Sequence, residues 1–235
     1  MIDRLPILVV LAIASLPAGA APPTSTRSYS VTSFDRIRID GPYQVQLTTN
    51  VAPFARASGS QLALDAVVLK VEGRTLIVRE SSGGWGGYPG EGRGPVTIEV
   101  GTHDLSTAWI NGAGGLGIDR VKGLSFDLAI QGSGIARIDS ADVDQLKVGI
   151  SGAGGVRLNG KAAKLTATVR GTASFEAEGL QVKDAVINAD GPATIRATVT
   201  NSAKIDAFGL AAVTLTGNPA CTVKAHGSAS VSGCK

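Results

Sequence analysis

Apolar and polar residues alternate through most of residues 101–235, and a glycine interrupts this alternation every 18 to 20 residues. Such alternation is typical of a β-strand with one buried face. A fixed period of this length indicates stacked repeats, so each repeat is predicted to hold two strands, a glycine corner between them and a polar return. The glycines that mark the repeats are Gly112, Gly132, Gly152, Gly171, Gly191, Gly209 and Gly227.

The position two residues after each marker glycine holds only glycine or alanine, as a tight inside corner demands. An antiparallel meander and a parallel coil could both produce such repeats. Because the same residue type recurs at the same offset, direct superposition of the repeats is favoured. We therefore predict an all-β fold, a right-handed parallel β-helix of short rungs.

The N-terminal third is less regular. The alternation on both sides of Gly41 resembles a degenerate first rung. Val67–Val71 and Thr75–Arg79 read as two strands joined by a hairpin turn, and Val96–Val100 resumes a strand that leads into the repeats. This region is expected to cap one end of the coil, because an uncapped end exposes unpaired strand edges.

The first residues of the chain have the features of a secretory signal peptide. An apolar run of about twelve residues, too short to span a bilayer, is followed by the small residues Ala18-Gly19-Ala20. No second long apolar stretch follows, so no transmembrane segment is expected, and the protein should be exported to the periplasm, the medium or the cell surface. The predicted organisation is a signal peptide at 1–20, a linker at 21–33 and one domain at 34–235, irregular over 34–100 and regular over 101–235.

Two cysteines, Cys221 and Cys234, are the only ones in the chain. In an exported protein such a pair predicts a disulfide, which would pin the last rung. The alternative is two unpaired thiols, one buried in the last repeat and one on a frayed end.

Composition narrows the class of protein further. Hydrophobic residues make up 43% of the chain but aromatic residues only 4%, which fits a narrow interior filled by small aliphatic side chains. The net charge is +3, without a basic run, so nucleic-acid binding has little support.

Three short motifs occur in an order that is similar to a known family: a strand before Asp40-Gly41-Pro42, then Gly73–Leu76, then Asn111–Gly114 with two near-copies. Over roughly residues 34–216 the chain resembles the head GIN domain of autotransporter adhesins. The resemblance implies a β-helical fold and a secreted or envelope protein of bacteria. The chain lacks an obvious translocator barrel.

Aromatic residues in a glycine-rich loop are the best candidates for ligand contact. Trp85, Tyr88 and Arg93 lie in the loop at 81–94, where exposed rings could stack on sugars or anchor a protein partner. The alternative is that the two rings fold back as a lid over the coil. Trp109, at an outward strand position, could extend the same surface.

Two motifs suggest cofactors but fit the repeat better. Gly112–Gly117 matches a dinucleotide fingerprint, yet a strand follows it where that fingerprint needs a helix. Asp119 and Asp139 are weak metal candidates, because stacking would place them in one acidic ladder with Asn159. A solvated turn column, balanced by neighbouring arginines, is favoured over a metal site, and no cofactor is expected.

Catalysis has thin support, since His103 and His226 are far apart and no catalytic triad is visible. We therefore expect a non-catalytic binding or scaffold module of the bacterial envelope, with an envelope polysaccharide or protein as partner. A carbohydrate-active enzyme on the same scaffold and a self-associating structural protein are the alternatives.

Overall fold

Stacked parallel strands form most of the computed structural model, which describes residues 24–81 and 94–235. The irregular N-terminal part contains β1 (Ser25–Tyr29), β2 (Arg36–Asp40), β3 (Gln44–Thr48), β4 (Phe54–Gly59), α1 (Gln61–Ala66), β5 (Val67–Glu72), β6 (Thr75–Glu80) and β7 (Thr97–Gly101). The regular part contains β8 (Thr107–Gly112), β9 (Gly115–Gly132), β10 (Ile135–Gly152), β11 (Gly155–Gly171), β12 (Ser174–Asp190), β13 (Thr194–Phe208), β14 (Ala212–Thr216), β15 (Ala220–Ala225) and β16 (Ser230–Ser232).

The long strands β9 to β13 each run from one glycine corner to the next and pair in parallel with the strand above. Leu116 pairs with Ala136, and Ala136 with Val156, so that equivalent residues of successive repeats stack. The predicted parallel coil is therefore confirmed. We call the strand segments before each corner face A and those after each corner face B.

The return between the two faces is more than a polar connection. The long strands continue through it, and Val143, Ala162 and Val182 pair in successive rungs there and are buried. These residues form a further stacked apolar column, on a third side of the coil. The sequence analysis missed this column, because polar residues surround these positions and interrupt the strict alternation of apolar and polar residues.

The corners approach one another closely. The backbone N–H of Ala153 donates to the Gly132 carbonyl at 2.9 Å, and that of Gly155 donates to the Gly134 carbonyl at 3.0 Å. Gly132 has a φ of 113°, and a Cβ added there would lie 2.7 Å from the Gly112 carbonyl oxygen. Both the left-handed backbone and the space therefore require glycine at this corner.

The first rungs are not stacked in sequence order. The rung built from β2, Gly41 and β3 lies between a rung of β6 and β7 on one side and β8 and β9 on the other. The connection from β7 to β8 must therefore pass the edge of that middle rung. Thr102 lies in this connection, is fully buried and donates its hydroxyl proton to the Phe34 carbonyl.

Antiparallel strands and a short helix cap the N-terminal end. On face B, β4 pairs with β7 and β1 pairs with β4, whereas on face A β5 pairs with β6, all antiparallel. The helix α1 links β4 to β5 across the end of the coil, with Leu64 buried and the Ser60 hydroxyl accepting from the Ala63 N–H. Because β1 belongs to the sheet, the expected linker at 21–33 instead contributes a strand to this cap.

The core is narrow and aliphatic, as the composition predicts. Among its largest fully buried side chains are Phe126 and Phe175, and most others are isoleucine and leucine. At the far end of the coil, Cys221 and Cys234 form the predicted disulfide, with Cα atoms 5.7 Å apart. Among the described residues no helix has the length and apolar character needed to cross a membrane.

Replacing a corner glycine should be far more harmful than replacing a glycine on a face. We expect Gly132→Ala to lower the free energy of unfolding by about 2–4 kcal/mol, because it combines left-handed strain with a backbone clash. Gly149→Ala on face A should be neutral or stabilising by up to ~1 kcal/mol, since its φ is not positive and a Cβ there meets nothing within 4 Å. Urea denaturation of the two variants measures both effects, and equal losses would contradict this account of the corners.

Removing the disulfide should loosen the last rung first. The double variant Cys221→Ser/Cys234→Ser should lose up to ~3 kcal/mol of local stability, because the disulfide closes a loop between two cysteines that are 13 residues apart in the sequence. Amide hydrogen exchange should rise in β15 and β16 and stay unchanged in β10 and β11. Uniform loss of protection along the coil would show instead that the bridge stabilises the whole fold.

Candidate functional site

Side chains that point outward on face A form straight rows along the coil, because the register keeps equivalent positions on top of one another. Trp109 stands in one such row, half-buried, next to Arg38 on one side and Ala129 on the other. Its predicted outward position is therefore correct. From the N-terminal end, the row contains Ile77, Arg38, Trp109, Ala129, Gly149, Thr168, Asn188, Asp206 and Lys224.

A shallow groove begins at Trp109. It has a volume of about 310 Å³, with Ala129 and Gly149 in its floor and Thr168 at its far side. Both floor residues are small, so the tryptophan ring has no large neighbour in the next two rungs. The groove is open to solvent along one wall of the coil.

Two oppositely charged residues lie at one end of this groove. The Lys147 Nζ is 3.9 Å from the Asp127 Oδ1, and both side chains are about half exposed. This separation is too long for a hydrogen bond. Within the described chain the Asp127 Oδ1 is buried and has no hydrogen-bond partner, so the pair is loose, and only the rest of the carboxylate faces solvent.

A tighter cluster fixes the other border of Trp109. Arg38 donates from Nε to the Asp40 Oδ1 at 3.0 Å, and the Asn111 Nδ2 donates to the same oxygen at 2.6 Å. Burial alone would raise the pKa of Asp40, but the hydrogen bonds from Arg38 and Asn111 outweigh it and lower the pKa below its usual value. The cluster holds the Arg38 guanidinium toward Asp40 and leaves the groove side of Trp109 open.

The loop that carries Trp85, Tyr88 and Arg93 lies outside the described residues, apart from its two ends. It connects Glu80, the last residue of β6, to the segment before Thr97, the first residue of β7. In the sequence it lies between the two strands of its rung, where the other rungs have a glycine corner. Only β2 separates β6 from β8, so the loop leaves a strand about 10 Å from the strand of Trp109.

Asp119 and Asp139, the first two positions of the expected acidic ladder, each have hydrogen-bond partners within the chain. Asp119 accepts from the Thr49 N–H at 2.9 Å and from the Arg120 N–H at 2.6 Å, which fixes the turn after β3. Asp139 accepts from the Arg137 Nε at 2.5 Å. Asn159 donates to the Ile138 carbonyl at 3.5 Å, next to register shifts in the ladder.

No group of three or more His, Cys, Asp or Glu side chains that could hold a metal occurs in the two described ranges. The structure gives Asp119 hydrogen bonds in a turn and Asp139 an ion pair with Arg137. Whether they bind a cation in solution stays a prediction.

The two histidines do not share a site. His103 is exposed in the connection between β7 and β8 near the first rungs. His226 stacks on Phe208 in the last rungs, with ring centroids 4.9 Å apart. Neither residue lies in the groove at Trp109.

Sequence reasoning missed a second groove, on face B, of about 440 Å³. Gly115 and Gly117 leave a gap in the outward rows, and the side-chain amides of Gln44 and Gln46 lie across it. Ile135, on the far side, is 63% exposed. The signal in the sequence is the pair of glycines at outward strand positions. In the structure neither glycine has a positive φ, so the backbone conformation does not require glycine there.

Comparison with known proteins gives both a family and a fold. The family described as "Putative auto-transporter adhesin, head GIN domain" matches residues 33–219. Among curated proteins no match to the chain is found.

Solved structures of bacterial proteins share the fold at low sequence identity. A putative adhesin from Bacteroides fragilis has a TM-score of 0.80 and 19% identity, with 90% of this chain and 97% of that chain covered. A protein from Parabacteroides distasonis named as a putative lipid binding protein has a TM-score of 0.70 and 19% identity, with the same shares covered. A putative adhesin from Parabacteroides merdae has a TM-score of 0.63 and 17% identity, with 90% and 96% covered.

The Asp40 cluster makes stability depend on pH in a defined direction. Because its pKa is lowered in the folded protein, Asp40 stabilises the fold above the unfolded-state pKa of ~3.9, and this stabilisation is lost as the pH falls through the folded-state value. Asp40→Asn should therefore cost about 1 kcal/mol at pH 7, and the difference from the wild type should shrink below about pH 4. Denaturation curves at both pH values measure this, and a difference that grows in acid would contradict it.

Proposed function

We propose that this chain, which belongs to the autotransporter adhesin head GIN domain family, is an extracytoplasmic, non-catalytic binding module of the bacterial cell envelope. One observation carries the proposal: an outward-facing tryptophan, Trp109, borders an open groove on a rigid face of the coil. A large aromatic residue held at the surface by a paired strand is a typical anchor for a ligand or partner.

The location outside the cytoplasm is supported by two features of the chain. The disulfide Cys221–Cys234 is typical of oxidising compartments. The apolar run before residue 20 has the pattern of a signal peptide. Attachment to the envelope, as opposed to release into the medium, is part of the proposal.

The recognition surface extends from Trp109 toward the glycine-rich loop. The strand β6, which leads into the loop, and β8, which carries Trp109, are two positions apart in the same sheet. Trp85, Tyr88 and Arg93 in the loop thus have the reach to join a ligand bound at Trp109. The glycines around them would let the loop adapt to that ligand.

Rigid presentation fits a binding role better than a reactive one. Three arginines on the outer faces each donate a hydrogen bond to a carboxylate at 3.0 Å or less: Arg38, Arg137 and Arg157. These side chains are held in separate pairs and do not converge on one reactive centre. Asp127 and Lys147, by contrast, are poorly paired and lie in the groove. We infer that they contact a ligand through hydrogen bonds.

Retention of envelope material by the immobilised protein tests the function. A glycan array and an envelope extract of the source bacterium should give specific, saturable binding that is the same with and without calcium. Trp109→Ala and Trp85→Ala/Tyr88→Ala should each weaken it about ten-fold, ~1.4 kcal/mol, because they remove the anchors.

The matched control is Leu124→Ala, which removes an exposed apolar side chain of β9 that lines neither of the two grooves. It should bind as the wild type does. Absence of any saturable binding by the folded wild-type protein would refute the binding function, whereas unchanged binding by the tryptophan variants would refute this surface.

A further inference from the structure

Gly149 is a glycine that the fold itself does not need. It lies in the middle of the face A segment of β10, its φ is not positive, and a Cβ added to it would meet nothing within 4 Å. Glycine in a strand interior costs ~0.5–1 kcal/mol relative to alanine. Such a residue often marks a place where a ligand approaches the backbone closely.

The neighbours of Gly149 make its missing side chain significant. Ala129 and Trp109 precede it in the same outward row, and Thr168 follows it. Trp109 and Thr168 are three rungs apart, roughly 14 Å between their strands. The space between them is the groove of about 310 Å³, near the lower end of the range of small-molecule sites.

We propose that this groove binds a neutral hexopyranose unit of a polysaccharide, with one face of the sugar ring stacked on Trp109. The inference rests on the binding function proposed above and gives that function a ligand class and a site. The C–H groups on the face of a sugar ring carry slight positive charge and are attracted to the negative face of an indole ring. The small floor at Ala129 and Gly149 admits the ring, which a larger side chain at either position would displace.

The polar groups of the groove match the rim of a sugar. The Asp127 side chain is about half exposed although its Oδ1 is buried, so the exposed part of the carboxylate can accept a hydrogen bond from a hydroxyl group, and Lys147 can donate one to a hydroxyl oxygen. Bonds to charged groups are stronger than neutral ones, so a few suffice for orientation. Because the two charges are opposite and adjacent, the groove favours a neutral sugar over a phosphate or a carboxylate.

The strands that form the groove continue into an exposed polar surface. On β9 and β10 the next outward positions after Ala129 and Gly149 are Gln131 and Ser151, which pair with each other beyond the groove. Gln131 and Ser151 are exposed and polar. A polysaccharide can therefore enter and leave the groove without burying its neighbouring units.

Nuclear magnetic resonance of the full-length folded protein tests the site directly. The chain has two tryptophans, so its indole N–H groups give two signals, and Trp109→Phe identifies the one from the groove. Cellohexaose, maltohexaose and mannohexaose are the probes. At least one of them should shift the Trp109 signal in a saturable manner.

Two leucine variants separate the groove from the fold. Gly149→Leu should weaken binding of that hexasaccharide at least about ten-fold while the melting temperature stays the same or rises, because the new side chain fills only the groove. Gly155→Leu is the matched control: Gly155 also lies in a strand without a positive φ, on face B, and a Cβ there has its nearest contact at 3.9 Å. It should bind as the wild type does.

The outcomes distinguish this inference from the broader function. If no hexasaccharide shifts the Trp109 signal, or if Gly149→Leu binds as tightly as the wild type, the sugar groove is refuted. Envelope binding that persists in Gly149→Leu would then leave the binding function standing with a different site. A wild-type protein that binds the hexasaccharide but no envelope material would refute the envelope role and keep the groove.

Discussion

The close approach of successive glycine corners is the constraint on which the rest of the structure depends. Successive corners are joined by backbone hydrogen bonds, as Ser133 donates to the Gly112 carbonyl at 3.0 Å, and at Gly132, Gly152 and Gly171 no Cβ fits against the neighbouring corner. The corners thereby fix the distance and the register between rungs. Because the register is fixed, inward positions superimpose into apolar columns, and outward positions superimpose into the straight rows from which the groove is built.

The N-terminal part begins the coil without exposing the strands of its first rung as edges whose backbone groups are unpaired. The chain makes one rung with β2 and β3, then leaves it to build the cap, and returns with β6 and β7 underneath that rung. The first rung is thus covered on both sides by later segments. The cost is a connection that must cross the edge of the rung, and the buried hydroxyl of Thr102 satisfies the Phe34 carbonyl at that crossing.

Much of the fold was predictable from the sequence, because every repeat carries the same pattern of glycine, apolar and polar positions. The corners, the inward columns, the rung at Gly41 and the disulfide all follow from local pattern and spacing. The rung order did not follow, since the rung of β6 and β7 has residues 81–96 where the others have a glycine corner, and so carries no copy of the motif. The helix α1 has only six residues, too few to show a helical period. The role of Asp119 depends on Thr49, 70 residues away, which no local reading reveals.

The glycines separate into two kinds once the structure is known, and the difference bears on function. At the corners the positive φ values favour glycine, and at Gly132, Gly152 and Gly171 contacts with the neighbouring rung exclude a Cβ as well. At Gly149 the backbone is extended and the space above is open, so stability would favour almost any other strand-forming residue. Gly155 shares these properties, but at Gly149 the same outward row also carries a tryptophan and a groove. Trp109 lies in the same outward row as Gly149, two strands away. The simplest ligand for the open space above Gly149 is therefore one with a flat apolar face and a polar rim.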